Sequence, residues 1–169
     1  MKPNIIVVGK SGSGKSSSLR NLNPETTAVL NTERKQLPFK GANKFKNVPV
    51  PDLATYKAAF KKAVESDAIE TIVIESFTSL IEMIYREADV RFKGFDVWSF
   101  YNKEIDSVLN MSKNTDKNII FLAIDGAYDR FRTQSLGKDS AKSPMGMFEN
   151  LHIGNDLAQV IEKCEEYYS

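Results

Sequence analysis

Gly9 is followed, after Lys10, Ser11, Gly12 and Ser13, by Gly14-Lys15-Ser16. A glycine, four residues and then Gly-Lys-Ser is a spacing suited to a triphosphate. The glycines let the backbone curl where a Cβ would clash or φ must be positive. Successive N–H groups then point inward as an anion nest, at the positive end of a following helix. Lys15 is placed to reach the β- and γ-phosphates, and the Ser16 hydroxyl to ligate Mg²⁺. Gly9, Ser11, Gly12, Ser13, Gly14, Lys15, Ser16 and Ser17 form the expected nucleotide-binding set, with ATP and Mg²⁺ as its ligands. Ser18 extends the hydroxyl run past the metal position.

A second metal-side group is expected at the end of another core strand. Glu75 closes Thr71-Ile72-Val73-Ile74, an apolar run ending in a carboxylate. Aspartate is usual at such a position. Glutamate is one methylene longer, so it is expected to crowd or shift the metal and to weaken metal affinity or turnover. A plain polar strand end is the competing reading of Glu75. The chain has one cysteine, Cys164, and one histidine, His152. No internal disulfide and no cysteine- or histidine-based metal cage can therefore form. Around Cys164, the carboxylates of Glu162, Glu165 and Glu166 disfavour a thiolate.

These side chains need a scaffold, and 169 residues suffice for one domain with a proper core. At 41% hydrophobic and 27% charged the composition is that of a globular chain rather than a disordered one. A net charge of +1 creates no global field for a polyanion, so any nucleic-acid contact has to come from a local patch. No apolar run approaches the ~20 residues that span a bilayer. The apolar residues 5–8 after Lys2 are too few for a secretory signal. A cytoplasmic location is expected, the host cytoplasm if the chain is phage-encoded, with no membrane partner.

Residues 4–8 are a β-branched apolar run ending at Gly9 and read as a buried parallel strand. A helix is expected over residues 14–21, stopped by Asn23-Pro24. Residues 26–31 and 46–50 read as strands, the latter near a sheet edge because of Pro49. Residues 33–43 read as a loop. Asp52 is a plausible N-cap before Leu53, Tyr56, Ala59 and Phe60, which recur at helical spacing. Strands follow at 70–75 and 118–125, with helices at 79–90 and 98–111 between them and another at 156–166. Strands alternating with helices imply a parallel sheet covered on both faces, in one α/β domain over residues 1–169.

In this order the parts resemble the RecA-like ATPases, particularly small phage-encoded P-loop proteins of single-strand annealing and recombination. The likeness covers residues 4–125. It rests on the P-loop, on Ala28-Val29-Leu30-Asn31-Thr32-Glu33, and on the series 72–80 and 109–125. It implies a P-loop NTPase fold with a RecA-like, mostly parallel sheet flanked by helices on both faces. It makes Lys15, Glu33 and Glu75 the catalytic set and Ser16 and Glu75 the metal set. Glu33 becomes the candidate general base that orients the attacking water; an exposed loop acid beside Arg34 and Lys35 is the alternative. Asp125 falls near the sensor position, with Gly126 where an amide sensing the γ-phosphate is expected.

In RecA-like proteins the loop after the sensor strand contacts single-stranded DNA. Here it carries Tyr128, Arg130, Phe131, Arg132, Lys138 and Lys142. Aromatics interleaved with cations suit base stacking and phosphate neutralisation, although Asp129 and Asp139 offset some charge and a solvated loop is the alternative. The aromatics Phe92, Phe95, Trp98, Phe100 and Tyr101 suit core or a subunit surface. The reading that follows is a Mg²⁺-dependent, ATP-hydrolysing protein acting on single-stranded DNA in recombination or annealing, self-associating as a homo-oligomer. A small-molecule or nucleotide kinase is the alternative, with Arg130 and Arg132 on a lid. A nucleotide-dependent interaction module with little turnover is the third.

Overall fold

The computed structural model describes residues 2–124. Five apolar segments become strands: β1 (Asn4–Gly9), β2 (Thr27–Asn31), β3 (Lys46–Pro49), β4 (Thr71–Glu75) and β5 (Asn118–Ile124). They form one sheet in the order β1-β5-β4-β2-β3. Every pairing is parallel, so the sheet is wholly rather than mostly parallel among the described residues. β2 and β4 are buried along their whole length. That is why they read as continuous apolar runs without alternation. β3 lies at the edge, where Pro49, paired with Asn31, withholds no ladder donor from a further strand.

A period of two divides the core into two layers. Ile6, Leu30, Ile72, Ile74, Ile119 and Phe121 point to one face and pack with helices α2 (Leu53–Glu65), α3 (Phe77–Arg91) and α4 (Phe95–Lys113). Ile5, Val7, Val29, Val73, Ile120 and Leu122 point to the other. There they meet Leu19 and Leu22, after the four-residue helix α1 (Lys15–Ser18), and Leu37 and Phe45. Right-handed crossovers require this division. The chain moves from β1 towards β3 with α1 on one face, then returns through β4 to β5 with α2, α3 and α4 on the opposite face. Parallel strands share one carboxyl edge, and the ends of β1, β2 and β4 bring Gly9, Asn31 and Glu75 to it.

Several boundaries differ from the sequence expectation. The helix after the P-loop is α-helical only over Lys15–Ser18 and tightens to a 3₁₀ turn at Leu19–Asn21. The helix dipole expected behind the glycine loop is therefore short. α3 begins earlier than expected because Ser76 caps it, accepting from the Ser79 N–H at 3.2 Å. α4 begins after Gly94, whose φ of 60° lets the chain turn from α3. Asp52 caps α2 as expected, accepting from the Thr55 N–H at 2.7 Å.

The aromatic group splits between core and surface: Tyr101 is buried with Tyr85 and Trp98 against it, whereas Phe95 is 81% exposed. Among the described residues no helix is long and apolar enough to cross a membrane.

Candidate nucleotide-binding site

β1 delivers the chain to the carboxyl edge, and residues 9–14 turn there before α1. Gly12 has φ 76° and Gly14 φ 91°, backbone geometry that L side chains avoid. Gly9 meets a different constraint, since a Cβ there would lie 2.7 Å from Ser13 Oγ. The Ser13 N–H donates to the Lys10 carbonyl at 3.1 Å and closes the turn. Ser11, Gly12 and Ser13 lie on the exposed rim, while Lys15, Ser16 and Ser17 are half-buried. Lys15 Nζ folds back over the loop and donates to the Gly9 carbonyl at 2.7 Å and the Lys10 carbonyl at 2.8 Å. The ammonium is thus held above the concave side of the loop.

Ser16 Oγ donates to Glu75 Oε1 at 2.5 Å, joining α1 to the end of β4. Glu75 is buried, and its Oε2 has no hydrogen-bond partner among the described residues. Burial pushes the Glu75 carboxyl above its ordinary value; the Ser16 hydrogen bond opposes this, the charge of Glu33 adds to it, and Lys15 and Lys35 oppose it. A buried carboxylate oxygen without a partner, beside a hydroxyl, is the donor set a hard divalent cation takes. The arrangement fits Mg²⁺ shared with a phosphate chain. No cluster of three or more His, Cys, Asp or Glu side chains among the described residues could hold a metal without such help.

Glu33 reaches the same edge through β2. The Thr32 N–H donates to the Glu75 carbonyl at 2.7 Å, which extends the β2–β4 ladder by one bond. Thr32 Oγ1 donates to the Ser76 carbonyl at 2.8 Å and accepts from the Ser76 N–H at 2.9 Å. The Glu75–Ser76 peptide is cis. The Glu33 side chain is 21% exposed, and Lys35 Nζ lies 3.2 Å from its carboxylate. A left-handed Arg34, φ 56°, curls the chain so that Asn31 Nδ2 donates to the Lys35 carbonyl at 2.6 Å.

The edge holds two features that sequence reasoning missed. One is the Thr32–Ser76 contact, which residues 44 apart in the chain do not announce. The other is a groove of about 700 Å³ beside Glu33, walled by residues 32–35, by Pro51 and Asp52, and by one face of α3 including Glu82, Met83, Arg86 and Val90. The spacing of those α3 residues was visible, but only the fold turns that face towards Glu33. Asp125, Gly126, Tyr128, Arg130, Phe131, Arg132, Lys138 and Lys142 lie outside the described residues, as does the helix expected at 156–166.

The family model of an AAA domain matches residues 1–135, which include the P-loop, Glu33, Glu75 and all five strands. No curated protein matches the chain. A match over most of the length, carried by a phosphate-binding loop on a five-stranded parallel sheet, places the protein: the chain belongs to the AAA-type P-loop NTPase family.

Proposed function

We propose that the chain is a Mg²⁺-dependent ATPase built as one P-loop NTPase domain. The observation that carries this reading is the hydrogen bond from Ser16 to the buried carboxylate of Glu75, beside a lysine folded over a glycine loop. On nucleotide binding Lys15 exchanges the Gly9 and Lys10 carbonyls for phosphate oxygens. Ser16 and Glu75 would hold the cation, whose charge would keep Glu75 ionised despite its burial. When bound, the cation would supply neutralisation of charge on the β- and γ-phosphates. Glu33 accepts the proton of the attacking water, so that ATP and water give ADP and phosphate.

A Lys15→Ala variant tests this directly. Charge-assisted hydrogen bonds contribute about 1.5–3 kcal/mol each, so ATP affinity should fall on the order of 10- to 100-fold and hydrolysis should vanish. Wild-type affinity in Lys15→Ala would sink the assignment.

The finer reading is action on single-stranded DNA in recombination or annealing, in a homo-oligomer. It draws on the resemblance to RecA-like ATPases and on the aromatics and cations between residues 127 and 147. Hydrolysis measured with and without single-stranded DNA tests it: DNA should accelerate turnover, and an unchanged rate with no DNA retained at low salt rejects it. The groove beside Glu33 favours a second reading, transfer to an acceptor seated there with Glu33 as its base. A kinase of this kind would release ADP in proportion to acceptor and ignore DNA.

A further inference from the structure

We propose that Thr32 is a positioning residue that sets the spacing between the two candidate catalytic carboxylates, an inference that rests on the ATPase reading above. Pairing of β2 with β4 ends at Asn31 opposite Glu75. Beyond that point only two backbone bonds to the Glu75 carbonyl continue the pairing, a short one from the Thr32 N–H at 2.7 Å and a long one from the Glu33 N–H at 3.5 Å. Thr32 adds a further restraint, using its backbone and its side chain together. Its backbone N–H holds the Glu75 carbonyl, and its hydroxyl holds both backbone groups of Ser76. Glu33 is the residue after Thr32, and Glu75 the residue before Ser76. The two acids are therefore coupled through this buried contact, in which Thr32 and Ser76 are 6% and 5% exposed, together with the backbone bonds to the Glu75 carbonyl.

The chemistry of the contact calls for threonine. The group at this position must donate and accept at once, which a hydroxyl does and a methyl does not. It must also hold one orientation, and β-branching restricts χ1. Valine has nearly the same shape and neither hydrogen bond. Serine has both hydrogen bonds and a looser χ1. Ser76 is in turn the N-cap of α3, so the contact also fixes where that helix starts relative to β2. Thr32 itself does not touch the nucleotide, since the P-loop reaches the site from β1 and α1. Loss of the contact should therefore slow the chemical step and spare nucleotide binding. A mis-set base of about 1 Å can cost on the order of 100-fold.

The test compares the full-length wild type with Thr32→Val, Thr32→Ser and Lys15→Ala. It reads steady-state ATP hydrolysis with Mg²⁺ and, separately, affinity for a fluorescent ATP analogue. Thr32→Val should lower kcat by about tenfold or more with affinity changed less than about threefold, and Thr32→Ser should recover most of the loss. Thr32→Ala gives the same comparison if the valine variant does not fold. Hydrolysis that needs Lys15 but survives Thr32→Val overturns the positioning role alone. So does an equal loss of kcat and affinity, which is what general disruption of the edge produces. Hydrolysis that is absent from the wild type, or indifferent to Lys15→Ala, overturns the ATPase reading and this inference together.

Discussion

The Ser16 hydroxyl and the Glu75 carboxylate, 59 residues apart in sequence, meet at 2.5 Å at the carboxyl edge of the sheet. The contact partners one carboxylate oxygen of Glu75 and leaves the other buried without a partner among the described residues. Burial is the largest cause of the rise in the Glu75 pKa, and the Ser16 hydrogen bond only partly opposes it. The folded, nucleotide-free protein therefore binds a proton here more tightly than the unfolded chain does. Stability from this group is present below the ordinary glutamate value and is lost as pH rises through the raised folded value. Thermal melts across pH 4 to about 8 should show wild type weakening relative to Glu75→Gln, with the difference levelling off once Glu75 is ionised. Parallel melting curves at all pH values would contradict the buried-carboxylate account.

Gly9 and Ser13 should be energetically coupled. A Cβ on Gly9 would sit 2.7 Å from Ser13 Oγ, whereas the next closest atom, Ser13 Cβ, is at 3.5 Å. The hydroxyl has to rotate away, and a strained χ1 costs about 0.5–1.5 kcal/mol. Gly9→Ala should therefore weaken ATP affinity several-fold. Adding Ser13→Ala should restore most of it, although Ser13→Ala alone changes little. A double-mutant cycle by calorimetry measures the coupling, and additive effects would mean that the loop relaxes in another way. Gly12 and Gly14 differ, because their constraint is positive φ and no neighbour lies within 4 Å of an added Cβ.

What the sequence displays and what it conceals differ by range. The phosphate loop is local, so its glycines, Lys15 and Ser16 are legible from spacing. β2, β4 and β5 are legible because strands buried on both faces need unbroken apolar runs. Glu75 stands out as the acid that ends one of them. Strand order is less accessible: β5 lies between β1 and β4 because of crossover geometry, which no residue pattern in β5 encodes. The Thr32–Ser76 contact depends on that order as well. Glu33 is a case in which the sequence leaves two readings open, a general base or an exposed loop acid beside Arg34 and Lys35; the fold holds it half-buried near Glu75. The helix after the P-loop is shorter than its sequence suggests for a related reason. Leu19 and Leu22 are drawn into the second core layer, and the helix tightens into a 3₁₀ turn between them.

Glu33 and Lys35 should separate stability from turnover. Their ion pair is at 3.2 Å, but the lysine is 78% exposed. An exposed pair contributes about 0–1 kcal/mol, so Lys35→Ala should leave the melting temperature nearly unchanged. Glu33→Gln keeps the size of the side chain and removes the base. General-base catalysis is typically worth about 10²- to 10⁴-fold, so hydrolysis should fall within that range with ATP affinity preserved. Single-turnover measurements with both variants check this. Unchanged hydrolysis in Glu33→Gln would return the residue to its reading as a loop acid and remove it from the site.

Thr78 provides a stability test on the far side of Glu75. Its hydroxyl accepts from the Ile124 N–H at 3.0 Å and ties the first turn of α3 to the last described residue of β5. Thr78 is buried, so Thr78→Val keeps the packing volume while leaving the Ile124 amide without that acceptor. The Ile124 amide is partly buried, so stripping its partner should cost up to about 1–3 kcal/mol. In a chain of this length that corresponds to a fall of roughly 2–10 °C in Tm. Hydrogen exchange should localise the effect, with the Ile124 amide exchanging faster and the amides of β2 unaffected. The site-forming contacts at Ser16 and Thr32 involve other atoms, so ATP affinity should stay within about twofold of wild type at temperatures well below the transition. An affinity loss larger than this, without a matching fall in Tm, would mean that the end of β5 contributes to nucleotide binding directly.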